Sequence, residues 1–223
     1  MWKLVGTHLD AAGVPHREVD LPTVGEGTDP ALDFHADAAH VRAILDEIAG
    51  PVVLCGNSYG GVVITEASAG HPGVARLVYL AAYMPDADDN MLEFMSGNCC
   101  PEFLTAVTFR DDGLVEFDLE AERKMAFQQA PEDVTEWALS EARPMAMGTR
   151  GSQLVTGVGW RGIPSTYVVS GDDRSLQPEV QRRWALERAT EYVETPFDHC
   201  PQLSHPAETA DLLARLARLA APG

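Results

Sequence analysis

The sequence predicts an α/β protein: a mostly parallel sheet with helices on both faces. Short apolar runs alternate along the chain with amphipathic segments of helical period. Several of those runs are continuously apolar, as expected of strands covered on both sides. The length of 223 residues suits one such unit with a sizeable core.

Trp2, Leu4, Val5, Leu9 and Ala12 recur at helical spacing before Gly13, so residues 2–12 read as a helix. Residues 14–21 read as a strand ending at Pro22, and 23–30 as a Gly-containing loop. Asp33 can cap a second helix, whose stripe is Phe34, Ala38, Val41, Leu45 and Ile48 and which Gly50-Pro51 stops. Residues 51–55 read as a strand buried on both faces, broken by Gly56, and a helix restarts over 59–69. A further buried strand spans 74–82; strands at 165–170 and 191–195 and helices at 178–189 and 206–220 continue the alternation.

The stretch 85–151 interrupts it. Segments 105–109 and 114–118 flank Asp112-Gly113, a hairpin signal, and helical patterns follow at 120–130 and 132–142. Five of the seven Phe and five of the seven Met fall here, which suits a lid over an organic substrate, or equally the packing of the segment's own core. The expected organisation is a core of residues 1–84 and 152–223 with a small α+β cap, 85–151, inserted into it.

Sixteen Lys and Arg against thirty-four Asp and Glu give a net charge of −18, which repels nucleic acid and anionic membranes. The N-terminus lacks a basic segment followed by an apolar run, so no secretory signal is expected and a soluble, cytoplasmic protein is. Cys55, Cys99, Cys100 and Cys200 have neither zinc-site nor disulfide-framework spacing and read as free thiols.

Gly56-Asn57-Ser58-Tyr59-Gly60 fits G-x-S-x-G, in which a serine sits on a strained strand-to-helix turn, and it falls where such a strand meets a helix. Gly56 and Gly60 are expected to relieve crowding, with Gly61 allowing closer helix packing. A serine hydroxyl needs an imidazole base and a carboxylate to orient that base. His199 follows the strand at 191–195, while His205 precedes Pro206 and suits a capping or exposed role better. Asp172 and Asp173 both follow the strand at 165–170, and either carboxylate could point inward.

Gly-Asn-Ser-Tyr-Gly-Gly at 56–61, Tyr-Met-Pro at 83–85, Gly-Asp-Asp-Arg at 171–174 with Gln181 beyond, and Asp198-His199 with Leu-Ser-His-Pro at 203–206 resemble the α/β-hydrolases. Within that fold they are similar to bacterial esterases related to plant methyl-salicylate and methyl-jasmonate esterases and hydroxynitrile lyases. The resemblance implies a catalytic acid followed by a basic residue and lying eight before a glutamine, which selects Asp173. It also implies that the Tyr59 backbone N–H is one oxyanion donor. Two departures stand out. Cys200 occupies the place of the lyase lysine, which disfavours cyanohydrin cleavage. The family's first strand, ending in His-Gly and supplying the second oxyanion donor, is absent from this chain, which starts at the tryptophan-containing helix that follows it.

The expected function is therefore a serine hydrolase cleaving a small, largely apolar or aromatic carboxylic ester. Ser58, His199 and Asp173 would do the chemistry, with no cofactor, no metal, and no partner beyond the ester and at most a second copy of the chain. The alternative is a homologue in which catalysis has lapsed and which binds small molecules. Dehalogenase and epoxide-hydrolase chemistry on this fold needs an aspartate where Ser58 stands.

Overall fold

A computed structural model describes residues 1–148 and 153–220; the expected cap boundary at 151/152 lies outside the described residues. In chain order the elements are α1 (Lys3–Ala11), α2 (Phe34–Glu47), β1 (Val52–Ser58), α3 (Gly60–Ala67), β2 (Val74–Ala82), α4 (Met91–Asn98), α5 (Pro101–Leu104), β3 (Val107–Phe109) and β4 (Leu114–Phe117). There follow α6 (Leu119–Met125), α7 (Glu132–Ser140), β5 (Met145–Ala146), β6 (Ser165–Ser170), α8 (Pro178–Glu187), β7 (Glu191–Thr195), α9 (Pro201–Ser204) and α10 (Pro206–Ala220).

The main sheet is parallel throughout, in the order β1-β2-β6-β7. Alternate side chains of its central strands serve two cores, as the two-residue period of a strand requires. Leu77, Tyr79, Tyr167 and Val169 pack with α2, α3 and α8, whereas Val78, Leu80 and Val168 meet Leu216 of α10. Helix α1 lies against α10 through Val5, Leu9, Ala210 and Ala214. Asp33 caps α2 as expected, accepting from the His35 and Ala36 N–H groups.

Two expectations fail at the β1 side. Residues 14–21 form no ladder; Val19 and Leu21 pack on the core from a loop. Val52, Val53, Leu54 and Cys55 are half-buried rather than covered on both faces, because β1 is the edge of the sheet among the described residues. A segment with no neighbour to exchange hydrogen bonds cannot become a strand, whatever its side-chain pattern.

The insert between β2 and β6 carries the expected hairpin, with Gly113 at φ +88° closing it, but also two short helices, α4 and α5, and a third strand, β5, paired with β4. Helix α6 ends at Met125, five residues earlier than its pattern suggests, because the chain beyond it turns to bond with the main domain. Phe94 of α4 stacks on Trp184 of α8 with ring centroids 5.1 Å apart, fastening the insert to the sheet.

The β1–α3 junction shows where glycine is required. A Cβ on Gly56 would lie 2.5 Å from the Gly60 carbonyl, and one on Gly61 only 2.1 Å from the Tyr83 carbonyl oxygen. A Cβ on Gly60 would meet nothing within 4 Å, so crowding falls on Gly61, which faces the end of β2, and not on Gly60. Gly61→Ala should therefore cost at least about 2 kcal/mol in urea unfolding, because a backbone carbonyl cannot step aside as a side-chain tip can. Gly60→Ala should stay within about 0.5 kcal/mol of the parent.

Candidate active site

Ser58 ends β1 with φ +51°, a left-handed conformation that a non-glycine residue holds only under strain. The register between β1 and β2 slips at Asn57/Ser58, and the Tyr83 N–H closes the turn on the Ser58 carbonyl at 3.1 Å. Ser58 is half-buried there, at the end of the strand. Tyr59 then occupies the N-cap of α3, and among the described residues its N–H donates no hydrogen bond. That N–H and the positive end of α3 together offer a place for developing negative charge.

Asp173 and His199 come together although 26 residues separate them in sequence: Nδ1 of His199 lies 2.8 Å from Oδ2 of Asp173. The Asp173 carboxylate also accepts from the Ser175 and Leu176 N–H groups, both at 2.8 Å, and from Gln181 Nε2 at 2.7 Å. Those donors aim one of its oxygens at the ring. With Nδ1–H donating to the carboxylate, Nε2 carries the lone pair and is the basic nitrogen. Burial alone would lower the His199 pKa; attraction to Asp173, Asp198 and Glu122, and the hydrogen bond itself, outweigh it and hold the imidazole above its ordinary 6.5. Among the described residues no hydrogen bond joins Ser58 to His199.

Asp172 has a different setting. It is half exposed, pairs with Arg174 at 3.5 Å and accepts from Gln129 Nε2 at 2.9 Å. His205 takes the capping role, not an exposed one: it is the C-cap of α9, its N–H donating to the Pro201 carbonyl at 2.8 Å, while its half-buried ring stacks on Phe197 and its Nε2 meets Gln129 Oε1 at 2.9 Å.

Several residues that hold this arrangement carried no sequence signal. Asn57 Nδ2 donates to the carbonyls of Leu80 and His199, both at 2.9 Å, so it ties the strand ending in Ser58 to the histidine loop. Gln202 in turn donates to Asn57 Oδ1 at 3.0 Å. On the other side Gln129 of the insert gives its N–H to the buried Asp198 carboxylate at 3.0 Å, and Ser204 bonds the second oxygen at 2.6 Å. Glu122 of α6 is half-buried near His199, and burial pushes its pKa up to about 7. Burial pushes the Cys200 thiol well above its ordinary range, so it stays neutral. All four cysteines are free thiols.

Beside Tyr59 lies an apolar cavity of about 250 Å³. Its wall is formed by Phe34, Tyr59 and Tyr83 and by insert residues including Met91, Met95, Phe103 and Phe117. A second, more open hollow of about 370 Å³ between β7 and α10 includes neither Tyr59 nor any insert residue.

The sequence matches the alpha/beta hydrolase family over residues 1–212. It is 31% identical over 219 residues to alpha/beta hydrolase nvfD of Aspergillus novofumigatus (strain IBT 16806), covering 91% of this chain and 84% of that protein. Against methylesterase 8 of Arabidopsis thaliana it is 24% identical over 231 residues, covering 97% and 84%. Its fold superposes on a pyrethroid hydrolase from Sphingobium faniae JZ-2 with a TM-score of 0.80 at 24% identity, over 97% of this chain and 91% of that one. On polyneuridine aldehyde esterase the TM-score is 0.83 at 19% identity, over 97% and 93%. With a parallel sheet flanked by helices, an antiparallel insert and a serine at the strand-to-helix turn, the chain belongs to the alpha/beta hydrolase family and is related to its esterases and methylesterases.

Proposed function

We propose that this hydrolase cleaves a small, largely apolar or aromatic carboxylic ester through Ser58, His199 and Asp173. The observation that carries this reading is the Asp173–His199 contact: a buried, four-donor carboxylate fixes one imidazole tautomer and leaves its basic nitrogen available. In the mechanism, Ser58 Oγ attacks the ester carbonyl while His199 Nε2 takes its proton. The Tyr59 N–H holds the carbonyl oxygen as it gains charge. His199 then returns the proton to the leaving alcohol, and water releases the acid from Ser58 by the same route. Catalytic hydrogen bonds are often long without substrate and tighten in the complex, so Ser58 and His199 need not be bonded beforehand.

The 85–151 segment acts as a lid in this reading, and its Met and Phe side chains supply an apolar wall that suits an uncharged ester. A buried neutral thiol at Cys200 cannot supply the positive charge that nitrile binding uses, which supports ester over cyanohydrin chemistry. The competing reading is a binding protein in which catalysis has lapsed: an oxyanion site with one N–H donor in place of two loses roughly a hundredfold to a thousandfold in rate.

Ester hydrolysis separates the two. The protein should cleave p-nitrophenyl acetate, and Ser58→Ala should reduce turnover to the uncatalysed background; equal rates for parent and variant would leave only the binder. Asp173→Asn should lower kcat by about 10³ to 10⁴, since the ring then adopts the wrong tautomer.

The pH dependence has a definite sign. Because the base must be neutral, kcat/KM should rise with pH along a limb whose midpoint lies above 6.5. Glu122→Gln removes a carboxylate that favours the imidazolium, so the same limb should move to lower pH with little change in the plateau. A limb that stays put, or moves upward, contradicts the placement of Glu122.

A further inference from the structure

Asp37, on the first turn of α2, is fully buried, and among the described residues no Lys or Arg pairs with it. A buried carboxylate is costly unless its lone pairs are filled. Here three donors fill them. The Thr23 N–H reaches Oδ1 at 3.0 Å, the Thr23 hydroxyl reaches Oδ2 at 2.7 Å, and the Tyr59 hydroxyl reaches Oδ2 at 2.8 Å.

The third donor belongs to the residue that follows Ser58. Tyr59 has a helical backbone at the head of α3, an N–H without a partner among the described residues, and a ring that forms part of the cavity wall. A tyrosine side chain has two rotors, so pinning the hydroxyl restricts the ring and, through it, the peptide to which it is attached. The other two donors belong to a residue held by the insert. The Thr23 carbonyl accepts from the Ala146 N–H of β5 at 2.7 Å, and Val24 bridges Met145. A continuous line of hydrogen bonds therefore runs from β5 through Thr23 and Asp37 to Tyr59, the neighbour of Ser58.

We propose that Asp37 is a positioning residue which, through the Tyr59 hydroxyl, aims the peptide N–H after Ser58 at the reacting oxygen and ties that aim to the seating of the insert. The proposal rests on the ester-hydrolase reading. It also explains why a carboxylate is kept in an apolar interior: it is the acceptor that can hold both Thr23 and Tyr59 at once.

The test uses two ligands of one shape. An aryl trifluoromethyl ketone forms an adduct in which Ser58 Oγ bonds to the ketone carbon, the serine proton passes to His199, and the former carbonyl oxygen becomes an oxyanion needing the Tyr59 N–H. The corresponding secondary alcohol fills the same space without forming a bond. In Tyr59→Phe, kcat for p-nitrophenyl butyrate should fall, and the ketone's Ki should rise, each by about tenfold, less than the loss of a whole donor because the N–H is misdirected but present. KM and the alcohol's Kd should stay within about twofold, since ground-state contacts are unchanged. Asp37→Asn should do the same, and the double variant should be no worse than the more impaired single one, as expected of residues acting in one chain.

A purely architectural role predicts a different pattern: a lowered Tm with the ratio of ketone to alcohol affinity unchanged, and that result overturns the proposal. Equal losses for both ligands overturn it too. Should Asp37→Asn fail to fold, Tyr59→Phe decides alone, because it leaves both Thr23 bonds to Asp37 in place. If the parent protein binds the alcohol but forms no ketone adduct, the hydrolase reading fails and takes this proposal with it. A normal adduct in both parent and Tyr59→Phe removes only the role of Asp37.

Discussion

A single carboxylate sets the geometry of the site. Asp173 is 4% exposed, and two backbone N–H groups, one glutamine amide and the His199 ring converge on its two oxygens. Each donor is itself fixed: Ser175 and Leu176 by the turn after β6, and Gln181 by α8, whose Oε1 also takes the Ser170 N–H at 2.9 Å. A ring bonded to so constrained an acceptor has little freedom to tilt, which is the pre-organisation that proton transfer requires. Asn57 supplies the complementary constraint by bonding the His199 carbonyl, so the strand that presents Ser58 and the loop that presents the imidazole cannot drift apart independently.

The insert is held to this frame on two sides. Gln129 bonds beside the acid and the histidine loops, while Thr23 and β5 link it to the wall containing Tyr59. At the surface Arg110, clustered with Asp112 and Glu116 of the insert, also reaches Glu26, where solvent screening leaves such pairs little weight in stability. Tyr59, the neighbour of Ser58, forms part of the cavity wall, and β5 of the insert is linked to it by hydrogen bonds through Thr23 and Asp37.

Much of this was legible in the sequence, for physical reasons. A parallel strand covered on both faces favours consecutive apolar residues, and the turn carrying Ser58 needs Gly56, so β2 and the serine stand out in the letters, while β6, with Ser165, Thr166 and Ser170 buried, does so only through Tyr167, Val168 and Val169. Local capping by Asp33 is equally plain, because cap and N–H groups lie within three residues. What could not be read is contact between distant residues. The choice between Asp172 and Asp173 depends on which side chain turns inward, and only the motif spacing to Gln181 hinted at it. The roles of Asn57, Gln129 and Asp37 depend on partners 142, 69 and 22 residues away. The strand expected at 14–21 failed for the same reason: it is only a mixture of apolar and polar residues, and a ladder requires a neighbour that a sequence pattern does not provide.

The central claim is that an imidazole held by Asp173 activates the Ser58 hydroxyl. Reaction with a fluorophosphonate, followed by peptide mapping, measures that activation without regard to the natural substrate. The account predicts one adduct, on Ser58, forming at least about a thousandfold faster in the parent protein than in His199→Ala. An adduct elsewhere, or the same rate with and without the imidazole, would contradict it.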